Sequence, residues 1–355
     1  MVPNPALGVV FHWIGGFSSA SFYVPYKKIR LWSWEVFWLA GGLFSWLIAP
    51  WLFAALQTKD LLGVLAATPR ETLAWCWFWG AMWGFGGLTF GLTMRYLGLS
   101  LGMAVALGLT TVIGTMGPPI FHGTIGQIAS TTSGQLTLAG ILVTLVGIVV
   151  VAKAGQAKSA EMGDSSEQGV AEFDLKKGLL IATFSGCLSG CFAWGLDAGQ
   201  PIRDLTLAAG TDPLSQGLPV LCIVLLGGLT TNALWCAYLI AKNRSLGQFF
   251  GASAEAGNPA PVPLLSNWLL AALGGTLWYG QFFFYTMGES QMGKYGFSSW
   301  TLHMASIILF STLWGFALKE WLGASVRTRT LVWSGIGLLV GATVIIGGGN
   351  MLAAG

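Results

Sequence analysis

Runs of about twenty apolar residues recur along the whole chain, and hardly a charge interrupts them. No feature constrains the fold more, because a soluble protein could not cover its surface with what is left over. Only 9% of the 355 residues are charged, against about 25% in soluble domains, and 54% are hydrophobic. Runs long enough to cross a bilayer core of about 30 Å fall near 7–27, 34–56, 72–94, 98–121, 134–153, 177–198, 216–241, 264–288, 297–318 and 329–350. The expected fold is therefore an all-α integral membrane protein with ten transmembrane helices. A net charge of +3 is too small to suggest a nucleic-acid partner. No Lys or Arg precedes Lys27, so the first run reads as a retained helix rather than a cleaved signal.

The runs divide into halves. Residues 155–176, with Lys158, Glu161, Asp164, Glu167 and Glu172, read as a cytoplasmic linker between a repeat over 1–154 and a second over 177–355. A looser segment, Asn243 to Pro263, is rich in Gly, Ala and Pro. Loops after the odd-numbered spans hold 13 Lys and Arg, and the opposite side holds only Lys59, Arg70, Arg203 and Lys294. That asymmetry places both termini on the periplasmic side. An odd number of spans per half makes the halves inverted, the build of secondary transporters, with the site between them. A shift of 170 residues lays Gly8, Gly16, Ser19 and Phe22 onto Gly178, Gly186, Ser189 and Phe192, and Lys27 onto Asp197.

Several helix faces carry the chemistry. His12, Gly16, Ser19, Tyr23 and Lys27 follow helical spacing on the first span, and Gly274, Trp278, Gln281, Tyr285 and Glu289 on the eighth. Trp300 and His303 lie one turn apart, as do Trp194 and Asp197. Polar faces inside a bilayer are costly unless they meet water, substrate or one another, so they mark either interhelical hydrogen bonds or a hydrated path. Gly80, Gly84, Gly87 and Gly91 leave one face of the third span bare, for close packing or for a cavity. Trp32, Trp34, Trp51, Trp268, Trp321 and Trp333 lie near span ends, where an aromatic belt explains them, whereas Trp79, Trp83, Trp194, Trp278 and Trp300 share helices with the small or polar faces. Indole faces beside neutral polar groups suit a polyol better than an ion.

Other chemistries lack their signatures. There is no P-loop, no Gly-x-Ser-x-Gly elbow and no His-Glu-x-x-His. Five cysteines (Cys76, Cys187, Cys191, Cys222 and Cys236) sit in apolar stretches and read as small hydrophobes. Three scattered histidines make no metal spacing, and no cofactor is called for. Asn243-Arg-Ser245 matches a glycosylation acceptor but falls on the cytoplasmic side.

The stretches FHWIGGFSSASFYVPYKK (11–28), WSWE (32–35), GLTMRYLGLSLG (91–102), WYGQFFFY (278–285), WTLHM (300–304) and LKEW (318–321) resemble the bacterial L-rhamnose–proton symporters of the drug/metabolite transporter superfamily. The resemblance spans nearly the whole chain. It implies a five-plus-five inverted repeat in the bacterial inner membrane and uptake of a deoxyhexose with a proton. Alternatives are an exporter of amino acids or other metabolites on the same fold, or an integral-membrane enzyme acting on lipid-linked sugar. The latter is disfavoured because no acids, bases or metal ligands cluster.

Site residues follow from the helix faces, not from the resemblance. Ser19, Tyr23, Trp83, Trp194, Trp278, Gln281, Tyr285 and Trp300 are the expected sugar contacts, with Gln281 bonding hydroxyls and Trp278 or Trp194 covering an apolar sugar face. Lys27 and Lys28 are candidates for an inner gate with Glu35 or Glu320. Asp197 is the first expectation for the proton carrier, followed by His12, His303 and Glu289.

Overall fold

The computed structural model describes residues 3–162, 174–253 and 261–354. Among these residues every regular element is helical, and eight helices are long and apolar enough to cross a membrane. The principal helices, of which α7 falls outside those eight, are α1 (Pro5–Ser21), α2 (Trp34–Gln57), α3 (Arg70–Phe121), α4 (Thr132–Met162), α5 (Leu175–Ala198), α6 (Leu218–Asn243), α7 (Leu264–Gln291), α8 (Ser299–Ala317) and α9 (Val326–Ala354). Local sequence sets several starts. Pro5 opens α1 while the Asn4 side chain accepts from the Leu7 amide, and Asp174 caps α5 by accepting from the Lys177 amide. Midway, α2 widens into a π turn at Phe44–Ile48 just before Pro50, whose missing N–H cannot continue the ladder. Apolar side chains such as Val10, Leu52, Leu142, Leu180 and Val344 face outward, while His12, Gln281 and His303 are buried. A lipid-embedded bundle has this distribution.

The largest difference from the sequence expectation is α3. Two helices were expected at 72–94 and 98–121; helical backbone instead runs unbroken over Arg70–Phe121. A straight helix of that length would measure about 78 Å, more than twice the bilayer core. Yet Trp79 and Phe121 both pack on Trp194, with ring centroids 5.5 and 5.6 Å away. At about 1.5 Å per residue a straight segment would hold those two rings roughly 60 Å apart. The segment therefore doubles back into two arms, and each arm lies along α5.

Packing pairs the two halves of the chain. α1 lies against α7 and α8, while α5 lies against the two arms of α3, α4 against α9, and α2 against α6. Glycine permits the closest approaches. A methyl on Gly8 would strike Met292 and the Gly288 carbonyl of α7, and one on Gly16 would strike Ser306 of α8. On α5, Gly178 meets Tyr96 and Leu97, and Gly186 meets Ala106 and Leu109. Gly80 and Gly84 pack on α6 at Val224 and Thr231, whereas Gly87 and Gly91 face open space.

Successive helix ends alternate between two faces. One gathers Lys27 with Glu320, Lys177 with Tyr96, Glu35 with Asn243 and Ser245, and Glu161 with Ser325 and Thr328. The other gathers Asn4 with Gln291, His122 with Asp197, Arg203 with Glu289, and Tyr295 with Thr131 and Ser133. Boundaries also shift from expectation. α4 continues to Met162, past the expected linker start at 155, because Gly155 to Glu161 extend its last turns. The linker's Asp164, Glu167 and Glu172 lie outside the described residues. The looser segment contains a 3-10 turn at Leu246–Phe250, and its residues 254–260 also lie outside. A short helix, Gln200–Ala208, follows α5 directly.

Candidate binding site

A cavity of about 470 Å³ lies at the centre of the bundle, within the usual span of small-molecule sites, roughly 300–1,000 Å³. α1 contributes Ser19, α3 Trp83 and Gly87, α5 Ser189, α7 Trp278 and Gln281, and α8 Trp300, with Phe22 and Tyr23 at the end of the first span. Six of the eight residues read from the helix faces thus share one cavity: Ser19, Tyr23, Trp83, Trp278, Gln281 and Trp300. The wall is mainly apolar, and its polar groups are neutral. Gln281 is 3% exposed and its Nε2 has no hydrogen-bond partner among the described residues, while its Oε1 accepts from His303 Nε2 at 3.3 Å. Trp278 Nε1 is likewise buried without a partner, and its ring meets Phe22 at 4.2 Å. An unpartnered buried donor costs free energy unless a ligand satisfies it. Trp300, by contrast, is fixed, since its Nε1 donates to the Thr110 carbonyl at 3.0 Å.

Two expected contacts lie elsewhere. Trp194 packs between Trp79 and Phe121 and donates from Nε1 to the Ile113 carbonyl, so its position on α5 faces the arms of α3 instead of the cavity. Tyr285 lies one turn past Gln281 and lines a different space, a vestibule of about 320 Å³ with Asp197, Gln200, Arg203 and Glu289. Between cavity and vestibule stands a layer of rings. Phe192 stacks on Trp300 at 5.7 Å and meets Phe282 at 4.5 Å, and Tyr285 meets Trp300 edge-on at 5.8 Å. His12 and His303 belong to this layer, 6.3 Å apart and respectively 0% and 1% exposed. Toward the Lys27 face no such seal stands among the described residues. The cavity shares Phe90, Leu107, Ile307, Ile308 and Ser311 with a second space of about 460 Å³ that extends to Lys158, Glu320 and Trp321.

The charged candidates sit at the two faces. Asp197 is at the vestibule rim, 37% exposed, with its Oδ2 2.8 Å from His122 Nε2. Glu289 is bound to Arg203 Nη2 at 2.7 Å, both side chains largely buried. Lys27 Nζ lies 3.7 Å from Glu320 Oε1, and Lys28 beside it is exposed. In this structure Glu35 is bonded by Asn243 Nδ2 and Ser245 Oγ, which donate to it at 3.0 and 2.8 Å, because the chain after α6 turns back over the start of α2.

Sequence reasoning missed His122, Arg203, and the cavity residues Trp38 and Asn232, which bond through Trp38 Nε1 and Asn232 Oδ1 at 3.0 Å. These partners are 75 to 194 residues apart, beyond the reach of helical spacing. The one available signal was the polar Asn232 inside an apolar run.

Residues 1–354 match the sequence profile of a family described as L-rhamnose-proton symport protein (RhaT). A protein of Cronobacter sakazakii named L-rhamnose-proton symporter is 40% identical over 343 residues, 96% of this chain and 96% of the relative. Proteins of the same name from Klebsiella pneumoniae and Escherichia coli are 40% and 39% identical, each over 96% of this chain and 97% of the relative.

Proposed function

The chain belongs to the L-rhamnose–proton symport family, and on that premise we propose that it imports L-rhamnose, or a closely related deoxyhexose, together with a proton. The observation that carries this reading is the central cavity, with its Trp walls and the unpartnered Nε2 of Gln281. Gln281 donates to a sugar hydroxyl, and Trp278 covers the apolar face that a deoxyhexose presents with its methyl group. The relatives are named symporters, which leaves the exporter and membrane-enzyme alternatives without support.

We read the architecture as ten spans in a five-plus-five inverted repeat of the bacterial inner membrane. The two arms of α3 and the polar α7 add to the apolar helices, and the alternation of helix ends supports the count. Exchange of halves preserves the packing scheme: α1 on α7 and α8 corresponds to α5 on the arms of α3. Gly16 and Gly186, paired by the 170-residue shift, both make close approaches, and Ser19 and Ser189 both line the cavity. The excess of basic residues assigns the Lys27 face to the cytoplasm and both termini to the periplasm. The cavity is then in its inward-open state, with Lys27 and Glu320 paired loosely beside the opening. Among the proton candidates, Asp197 and Glu289 already have basic partners at the periplasmic rim, so the proton falls to His12 and His303.

Uptake of radiolabelled L-rhamnose into proteoliposomes tests the function. Accumulation should require an inward-directed proton gradient and collapse with a protonophore. Uptake that ignores the gradient would refute symport.

A further inference from the structure

We propose that His303 and Gln281 together form the coupling element of the transporter, Gln281 presenting to the sugar whatever the proton on His303 dictates. The inference rests on the reading of the central cavity as the sugar site, and it goes beyond that reading by naming the atom-to-atom link between the two cargoes. Gln281 belongs to both places. Its backbone is on α7, its amide lines the cavity, and its Oε1 is 3.3 Å from His303 Nε2 on α8. His303 Nδ1, both ring nitrogens of His12 and the amide Nε2 of Gln281 are buried with no hydrogen-bond partner among the described residues. Four unpartnered polar atoms in one layer are costly inside an apolar bundle.

The layer stands where a proton must pass. Tyr285 lines the vestibule and touches both imidazoles, with ring centroids 5.4 Å from His12 and 5.3 Å from His303. On the other side of the layer, Gln281 faces the cavity that opens toward Lys158 and Glu320. The groups around His303 are His12 from α1, Tyr285 and Gln281 from α7, Trp300 on its own helix, and the Thr115 hydroxyl of α3 bonded to neighbouring Thr301. The charges beyond Tyr285 are Glu289, one turn along α7, its partner Arg203 on the short helix Gln200–Ala208, and Asp197 in the same vestibule. Neither imidazole bonds a carboxylate among the described residues, so an added proton is not already neutralised. Two cations 6.3 Å apart in apolar surroundings repel, so the pair of rings holds one proton at a time.

The switch follows from imidazole chemistry. Protonated His303 can only donate, so its Nε2–H holds Gln281 Oε1 and leaves the amide Nε2 free for a sugar hydroxyl. Neutral His303 has one ring nitrogen with a lone pair and no bond at Nδ1 to select its tautomer. When that lone pair is on Nε2, the carboxamide turns, donates its own N–H to His303 and presents oxygen to the cavity. Proton loss thereby changes the group that the sugar meets. Linkage makes the effect reciprocal: sugar binding raises the affinity for the proton by the factor that the proton raises it for sugar.

Two measurements on the full-length protein in detergent test the link. L-rhamnose binding is titrated by calorimetry across pH, and proton uptake on adding L-rhamnose is followed in weak buffer. For the wild type, affinity should fall by about tenfold or more from acidic to alkaline pH, and binding should take up a proton. His303→Gln keeps a donor for Gln281 but cannot titrate. It should bind L-rhamnose with no pH dependence, exchange sugar across liposomes, and lose gradient-driven accumulation. Wild-type binding without proton uptake overturns the coupling even if the variant does not fold, and so does an unchanged pH profile in His303→Gln. If Gln281→Ala binds L-rhamnose as tightly as the wild type, the cavity reading falls and takes the link with it.

Discussion

The two faces of the bundle are each tied by a cation and a carboxylate, yet they are tied differently. At the vestibule, Arg203 and Glu289 meet at 2.7 Å with side chains 11% and 19% exposed, behind the ring layer that seals the cavity. At the opposite face, Lys27 and Glu320 are 3.7 Å apart with side chains 56% and 44% exposed, beside a cavity wall that continues outward. An exposed pair is screened by water and salt and contributes little. A buried pair need not stabilise more than apolar packing would, but removing one partner strands a charge. The difference teaches where the conformational bias resides. The sealed face is held by a contact that can open only as a unit, and the open face by one that solvent can replace. The repeat proposed above would sharpen the contrast, since a 170-residue shift sets Lys27 at the end of the first span opposite Asp197 at the end of α5, whose partner is His122.

The largest effect should come from splitting the buried pair. Arg203→Ala or Glu289→Ala strands a charge, a penalty of about 3–5 kcal/mol, and should abolish accumulation of L-rhamnose and lower thermal stability. The double variant should be less damaged than either single one; equal or additive damage would show that the pair does not act as a unit. Next is the centre that both faces serve. Gln281→Ala removes one hydrogen bond to a buried ligand, about 1–3 kcal/mol, and should weaken L-rhamnose binding by about fivefold or more at unchanged folded yield.

The exposed pair should matter less. Lys27→Glu or Glu320→Lys should slow uptake by no more than about fivefold, and the charge-swapped double should recover it. A double no better than the singles leaves Lys27 as a membrane anchor only. The smallest effect is expected for Asp197→Asn, which keeps a group able to accept from His122 at the rim. Its uptake should stay within about twofold of wild type, since exposed pairs contribute little. Loss of gradient-driven accumulation with intact exchange would instead make Asp197 the proton carrier.

What could be read from the chain in advance follows from the reach of helical periodicity. His12, Ser19 and Tyr23 lie on one stripe, and so do Trp278 and Gln281, because spacings of three and four residues place them there. The same spacing groups Gln281 with Tyr285, yet the structure puts them on opposite sides of the ring layer. A stripe records direction around a helix and says nothing of the depth at which a partner helix crosses it. Trp194 shows the other limit: it shares a helix with cavity-lining Ser189, but its ring turns to the arms of α3. The reversal inside α3 was legible in the apolar runs even though the backbone stays helical, because bilayer thickness forbids one straight span of that length. Arg203 with Glu289 and His122 with Asp197 were not legible, being joined only by tertiary packing.

Side-specific labelling of the cavity tests the account most directly. Gly87 lines the cavity with open space around it, so Gly87→Cys adds a thiol there without a clash. The five native cysteines, buried or half-buried, would be replaced by alanine. A membrane-impermeant maleimide should then label residue 87 from the Lys27 face and not from the Asp197 face. With Arg203→Ala and Glu289→Ala added, labelling from the Asp197 face should appear, and saturating L-rhamnose should slow it. Labelling of the parent variant from the Asp197 face, or no change when the buried pair is removed, would contradict a single central site whose access that pair controls.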